Sequence, residues 1–411
     1  MTTSNENASL HNQNLSKAIP KLRFKGFYDE WQSEKLDQFV TLLNGRAYKQ
    51  KELLKKGKYI VLRVGNFNTN NQLYYSDLEL DNKYYAYNGD LLYTWSTILG
   101  PHIWNGPKVI YHYHIWKLNL KNNVNKFFVL QLLEKDKNKM LLNTHGTTMT
   151  HITKVDMENK IFQIPSLAEQ EKIGSFFKRI DQLIALHEQK LALLKQKRQG
   201  YLQKLFPQKD AKIPRLRFKG FNDVWKEKKL REVGIIKSGN AFSEKEQGGL
   251  KGTPFYKVSD MNILGNNVYM KKANNYVTNC QIKLNKYNVI QEPSIIFAKV
   301  GAAIFLERKR IAKNFIIDNN MMFFTPFKLL DIKFSLYIFN NIKLSRYVQI
   351  GSLPSYNATD LSLIKILIPN IQEQKEISSL LTKFDKLIEL QEHKLELLKQ
   401  KKQAYLQKMF I

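Results

Sequence analysis

Asn44, Arg46, Tyr48, Lys49, Arg63, Asn66, Asn68, Ser96, His145, Thr147 and Thr148 fall in Gly- and Asn-punctuated stretches of the first half of this chain. Ser238, Asn240, Lys257, Ser259, Asp260, Asn262, Lys299, Ser352, Tyr356 and Asn357 occupy comparable stretches of the second half. These are the side chains that hydrogen-bond to base edges and phosphates: Arg pairs with guanine, Asn with adenine, and hydroxyls and Lys with either bases or phosphate oxygens. The alternative is that Gly45 and Gly239 merely form turns and their neighbours are ordinary exposed polar residues.

Covalent chemistry finds less support. There is no Walker A loop for cradling a nucleotide, and no Gly-x-Gly-x-x-Gly follows a strand pattern. The Asp/Asn-Pro-Pro-Tyr/Phe tetrapeptide of amino-methyltransferases is missing; Ser352-Leu353-Pro354-Ser355-Tyr356 lacks its double proline. Glu188-Gln189-Lys190 has the Glu-x-Lys form of a nuclease site, but lies inside a helix pattern without a preceding Pro-Asp. His112 and His114 share one face of a strand pattern, with His102, Trp104 and Trp116 nearby. No Cys or carboxylate joins them at a metal-ligand spacing, so an aromatic surface is expected and no metal site.

The elements that position these residues occur twice. Ile19-Pro20-Lys21-Leu22-Arg23-Phe24-Lys25-Gly26-Phe27 returns as Ile213-Pro214-Arg215-Leu216-Arg217-Phe218-Lys219-Gly220-Phe221. Residues 165–206 return as 369–410 without a gap, 23 of 42 positions being identical. Between these blocks lie two long stretches with only a faint common frame. Asn44–Tyr48 aligns with Ser238–Phe242, and Arg63–Asn68 with Lys257–Asn262. Gly89–Thr94 aligns with Pro293–Ala298 after about ten extra residues in the second copy. Short β-branched and aromatic runs between turn residues predict strands, and 127–133 and 334–339 predict short buried helices.

Ser166 with Glu169, and Asn370 with Glu373, give each repeated block the form of a capping box. Beyond it, positions spaced by four and three form a seam: Ile173, Phe177, Ile180, Ile184, Leu191 and Leu194 in one copy, and Ile377, Leu381, Phe384, Ile388, Leu395 and Leu398 in the other. Tyr201 with Leu205, and Tyr405 with Met409, extend it. A 3.5-residue period over about five heptads predicts a coiled coil, each helix roughly 60 Å long at about 1.5 Å per residue. His187 with Gln391, and Arg198 with Lys402, are polar seam positions that set register. The expected fold is α+β: two similar small domains, each followed by a long helix, the helices packed antiparallel as a pseudo-two-fold repeat. The expected segments are a tail at 1–18, domains at 19–164 and 207–368, and helices at 165–206 and 369–411.

Composition narrows the partner. Sixty-five Lys and Arg against 36 Asp and Glu give a net charge of +29, which points to a polyanion; a general compositional bias toward Lys is the plain alternative. The basic residues are spread over both repeats, unlike a membrane anchor, and no stretch reaches about 18 uninterrupted apolar residues. One cysteine, Cys280, and a polar start without a signal-peptide pattern suit a reducing cytoplasm.

The Pro-x-Leu-Arg-Phe-x-Gly-Phe openings, the Pro-x-x-x-Glu-Gln-x-x-Ile starts at Pro165 and Pro369, and the Lys-Gln-Lys-x-Gln-x-Tyr-Leu-Gln-Lys-x-Phe endings resemble those of the DNA-specificity subunits of Type I restriction–modification systems. The resemblance covers residues 19–411. It implies two target recognition domains reading the parts of a split double-stranded DNA sequence, with the paired helices setting the unread spacer. It implies two methyltransferase subunits and two restriction–translocase subunits as partners. S-adenosylmethionine, ATP and Mg would be held by those partners, with no cofactor or metal in this chain, and adenine N6 would be methylated. The competing readings are a basic coiled-coil scaffold without sequence preference and a self-contained DNA-modifying enzyme.

Overall fold

The computed structural model describes residues 18–67, 72–121, 123–143, 151–208, 211–349, 351 and 353–411. Four helices of ten or more residues occur among them: α1 (Lys126–Asn143), α2 (Leu167–Leu205), α3 (Ile332–Asn341) and α4 (Ile371–Met409). The chain divides into two units. Unit 1 runs to Lys190 and adds Glu392–Ile411, while unit 2 is the continuous segment Leu191–Gln391. Each unit therefore contains part of both long helices.

Unit 1 has a four-stranded antiparallel sheet in the spatial order Val40–Asn44, Ile115–Leu120, Leu91–Thr94, Gly100–Ile103. A second sheet is ordered Tyr74–Ser76, Tyr59–Leu62, Val109–Tyr111, Tyr85–Ala86, its middle pair parallel. Unit 2 repeats the first sheet as Gly234–Ser238, Met321–Pro326, Ser294–Ala298, Lys309–Ala312. It repeats three strands of the second as Tyr276–Val277, Thr253–Tyr256, Ile316–Ile317. The short helix foreseen at 334–339 is α3, whereas the one foreseen at 127–133 is only the buried start of α1, which runs on to Asn143 with Leu141 and Leu142 exposed. The extra residues of unit 2 lie before Ser294 and include a short helix, Asn279–Leu284.

Each core closes on the phenylalanine that follows the last residue of a long helix. In unit 1 Phe410 stacks on Phe128 of α1 at 5.3 Å and meets Trp31 edge-on at 6.1 Å. In unit 2 Phe206 stacks on Phe334 of α3 at 5.3 Å and meets Trp225 edge-on at 5.9 Å. The seam follows the expected period. Ile173, Phe177, Ile377, Leu381 and Leu395 are buried, and Ile180, Ile184, Leu191, Leu194, Phe384, Ile388 and Leu398 are half-buried. Its two cationic positions are balanced by aspartates: Lys402 pairs with Asp181 at 2.6 Å in unit 1, and Arg198 with Asp385 in unit 2.

The glutamates expected to close capping boxes do something else. Both carboxylate oxygens of Glu169 accept from the Arg23 guanidinium at 2.7 Å, and both of Glu373 from Arg217 at 2.7 Å. Both glutamates are fully buried, so a fork-to-fork ion pair outcompetes a return bond to the cap backbone. Asn370 does cap α4, accepting from the Glu373 N–H at 2.9 Å.

Candidate nucleic-acid interface

In each unit three backbone segments converge at one end of the sheets. The loop after Val40–Asn44 lies against the end of Val109–Tyr111: Arg46 N–H donates to Tyr111 O and Tyr113 N–H to Arg46 O, both at 3.1 Å. His112 N–H donates to Leu62 O at 2.9 Å, bringing in the turn that starts at Arg63. In unit 2, Asn240 N–H donates to Ile317 O at 2.9 Å and Asp318 N–H to Tyr256 O at 3.0 Å, which brings in Lys257. A glycine is obligatory at the crossing. A Cβ on Gly45 would sit 2.3 Å from His112 O, and one on Gly239 would sit 2.1 Å from Asp318 O.

The three converging side chains differ between units. Unit 1 brings together Arg46, Arg63 and His112; unit 2 brings together Asn240, Lys257 and Asp318. Arg46 is gripped by Glu52 at 2.9 and 3.1 Å and lies 5.1 Å from the Tyr48 ring. That grip holds the Glu52 carboxyl at a pKa of about 2. Arg63 is exposed and lies over the Tyr74 ring at 5.2 Å. Burial, with help from His114 and Arg63, lowers His112 to about 4, so its ring is neutral at pH 7. In unit 2 burial raises the Asp318 carboxyl, one oxygen of which has no partner, and Lys257 donates to Gln247 at 3.0 Å.

The remaining sequence candidates divide into surface and support. Asn44, Lys49, Ser238, Ser259 and Asn262 are exposed, and Lys299 is half-buried. Asn357 is exposed but caps a short helix, accepting from Thr359 N–H at 2.9 Å. Asn66 and Asp260 are equivalent turn caps, accepting from Arg63 N–H at 2.9 Å and Lys257 N–H at 2.7 Å. Ser96, Asp260 and Tyr356 are buried, and they shape loops instead of lining the surface. Tyr48 is half-buried, its hydroxyl has no partner, and burial pushes its pKa up. Asn68, His145, Thr147, Thr148 and Ser352 lie outside the described residues.

The histidine stretch forms a ring cluster. His114 lies 5.0 Å from both Trp95 and His112, and Tyr113 lies 3.9 Å from His114. Among the described residues no group of three His, Cys, Asp or Glu is placed to hold a metal. His102 stacks on Phe67 at 4.2 Å, and burial lowers it to about 4. Sequence reasoning missed Glu52 and Asp318. Glu52 reaches Arg46 from a turn only six residues on, a local contact that no motif announces, whereas Asp318 arrives through strands that pair only in the fold.

A model of the Type I restriction modification DNA specificity domain matches residues 28–196 and again 222–400. The chain belongs to that family. The specificity subunit of the Type I restriction enzyme MjaVIII from Methanocaldococcus jannaschii is 26% identical over 328 residues, 73% of each chain. That of EcoBI from Escherichia coli is 24% identical over 181 residues, 43% of this chain and 38% of its own. Among solved structures, the Type I S subunit of M. genitalium aligns with a TM-score of 0.63 at 16% identity, covering 96% of this chain and 99% of that one. A chain from a study of complex assembly and conformational transition in the type I R-M system aligns with a TM-score of 0.53 at 15% identity, covering 93% and 98%. The specificity family thus shares this fold at low identity, and each of the two matches covers the sheets of one unit. No helix among the described residues is long and apolar enough to cross a membrane.

Proposed function

We propose that this specificity-family chain is a reader without catalysis of its own, each unit recognising one part of an asymmetric bipartite DNA target. The observation that carries this is the substitution at one backbone crossing, which carries Arg46, Arg63 and His112 in unit 1 but Asn240 and Lys257 over a buried Asp318 in unit 2. Two guanidiniums suit guanine O6 and N7. An amide suits adenine, and the Lys257 ammonium suits guanine or a phosphate oxygen, while the buried Asp318 shapes the crossing beneath them. Two units built alike but lined differently favour a target whose halves differ.

The chemistry on DNA belongs, on this reading, to partner subunits. Unit 1 exposes Leu183, Leu186 and Leu397, and unit 2 exposes Leu387, Leu390 and Leu193, the same helix positions in each copy, between 42% and 64% accessible. Repeated apolar side chains on otherwise charged helices fit one protein partner per unit, and the family resemblance makes these two methyltransferase subunits. Those subunits hold S-adenosylmethionine and extract the adenine from the stack. Restriction–translocase subunits bring ATP and Mg, and the complex works in the cytoplasm.

The test is modified-base sequencing in a methylation-free bacterial host expressing the chain alone, then with its methyltransferase subunit. Methylation at one gapped, asymmetric motif only on co-expression is the expected result. Methylation by the chain alone would establish catalysis here, and none in either strain would favour a scaffold.

A further inference from the structure

The hairpin between Ser294–Ala298 and Lys309–Ala312 carries a 3-10 turn, Ala302–Leu306. Its Ile304 is buried in the core, whereas the next two side chains, Phe305 and Leu306, are 60% and 61% exposed. Single exposed apolar residues need no explanation, but an adjacent pair on a clamped turn does. Gly301, at φ 79°, starts the turn, and its N–H donates to Pro354 O at 2.9 Å. Glu307 ends it in the left-handed region at φ 50°, which a non-glycine residue adopts only when its surroundings enforce it. Its carboxylate accepts from Ser345 N–H at 2.8 Å and pairs with the buried ammonium of Lys309. The turn is therefore held at both ends and presents two apolar groups to water.

The surroundings identify what covers them. Lys299 precedes the turn, Arg308 follows it, and Arg346 is next to the Ser345 that anchors it. The nearby carboxylate, Glu307, is already neutralised by Lys309. Arg308 also donates to the Asn262 side chain, tying the hairpin to the turn that starts at Lys257. An apolar tip whose flanking and anchoring segments carry cations, and which is joined to the converging loops, fits DNA better than an apolar protein surface. The corresponding hairpin of unit 1 exposes a single apolar side chain, Ile98, at 38%, and no adjacent pair. This shorter hairpin folds Trp95 back onto Trp116 at 5.7 Å, with the indole N–H donating to Tyr113 O at 2.9 Å.

We propose that Phe305 and Leu306 read thymine, by packing on its C5-methyl group in the major groove of the half-site bound by unit 2. The methyl is the apolar group that a base edge offers in that groove, whose width admits a β-hairpin. This rests on the reading of the chain as a bipartite DNA reader, and adds a residue class that hydrogen-bond arguments overlook.

Once the target is mapped, each of its thymines is replaced singly by uracil, and binding by the chain with its methyltransferase subunits is measured. One uracil should weaken binding about fourfold, the worth of one buried methyl at about 0.8 kcal/mol. The double variant Phe305→Ala, Leu306→Ala should bind the thymine and uracil duplexes equally, with unchanged thermal stability. Uracil tolerated at every position, or a variant that still prefers thymine, overturns the proposal while target binding itself persists. If the variant weakens both duplexes alike and a neighbouring 2-aminopurine loses its bound-state fluorescence, the pair is a wedge between base steps. If instead the variant binds the duplexes normally but fails to assemble with the methyltransferase, the tip is a protein contact. Either result overturns the thymine assignment. Loss of a mappable target would instead reject the underlying reader.

Discussion

Arg23 and Arg217 meet their glutamates at the same 2.7 Å, whereas Arg46 and Asn240, at equivalent places in their loops, share no chemistry. The agreement extends through the rest of the supporting frame. Gln170 and Gln374 each donate to the carbonyl of the proline five residues back, Pro165 and Pro369, at 2.9 Å. Gln170 accepts from Asn125 N–H at the start of α1, and Gln374 from Asp331 N–H at the start of α3. Even the unsatisfied indole N–H groups of Trp31 and Trp225 recur. Buried polar networks tolerate little change, since each broken member leaves a partner desolvated. Loops at a sheet end carry no such constraint and are free to diverge.

The largest effects should come from separating the two cores. Phe410→Ala should destabilise unit 1 by about 3–5 kcal/mol, and Phe206→Ala should do the same to unit 2. Peptide-resolved hydrogen exchange should show each loss confined to one unit; loss spread over both would mean that the units do not unfold separately. Arg23→Ala and Arg217→Ala should each cost about 3 kcal/mol, because each strands a buried carboxylate. Unequal costs, measured by urea unfolding with the same readout, would show that the frame is less alike than its distances.

At the loops, Arg46→Ala and Asn240→Ala should each remove about 2 kcal/mol of discrimination, and in different halves of the target. Binding to duplexes randomised in one half at a time checks this, and relaxation of both halves by one substitution would break the two-reader comparison. Acid should separate the units more gently. Burial holds His102 and His112 at about 4 in the folded state, against about 6.5 unfolded. The unfolded chain then binds more protons between those values, so the contribution is complete above about 6.5 and is lost as pH falls toward about 4. Unit 2 contains no histidine. Its Asp318 is shifted the other way, upward, so acidification relieves a buried charge there. Between pH 7 and 5, unit 1 should lose about 1 kcal/mol per ring, discounted for partial exposure, while unit 2 holds steady. Hydrogen exchange at the two pH values, corrected for intrinsic rates, would show equal loss if the histidines are irrelevant.

The duplication, the strand–turn frame, the start of α1, α3, and the seam were all legible in the sequence, because they rest on local periodicity and on direct comparison of the copies. Glu169 and Glu373 were misread as cap partners: the Ser/Asn-x-x-Glu spacing is a local signal, but Arg23 lies 146 residues from its glutamate. Of the candidate readers, Arg46, Arg63, Asn240 and Lys257 do converge. Asp260 and Tyr356 went inside because residue type alone does not say which way a loop faces. His112 and Asp318 joined the convergence through strand pairing, and Phe305 with Leu306 went unnoticed because an apolar pair reads as core.

Phe410 closes the core that also contains Trp31, near the other end of the chain. During synthesis, then, unit 2 has its whole continuous segment available while unit 1 still lacks its final stretch. The part made first must wait, with Trp31 and Phe128 uncovered, until residue 410 clears the ribosome. Contacts of such long sequence separation form slowly and leave apolar surface open to aggregation. Unit 1 is thus the half that a chaperone has most reason to hold, and a ribosome stalled before residue 410 would release a chain with one finished reader and one open core.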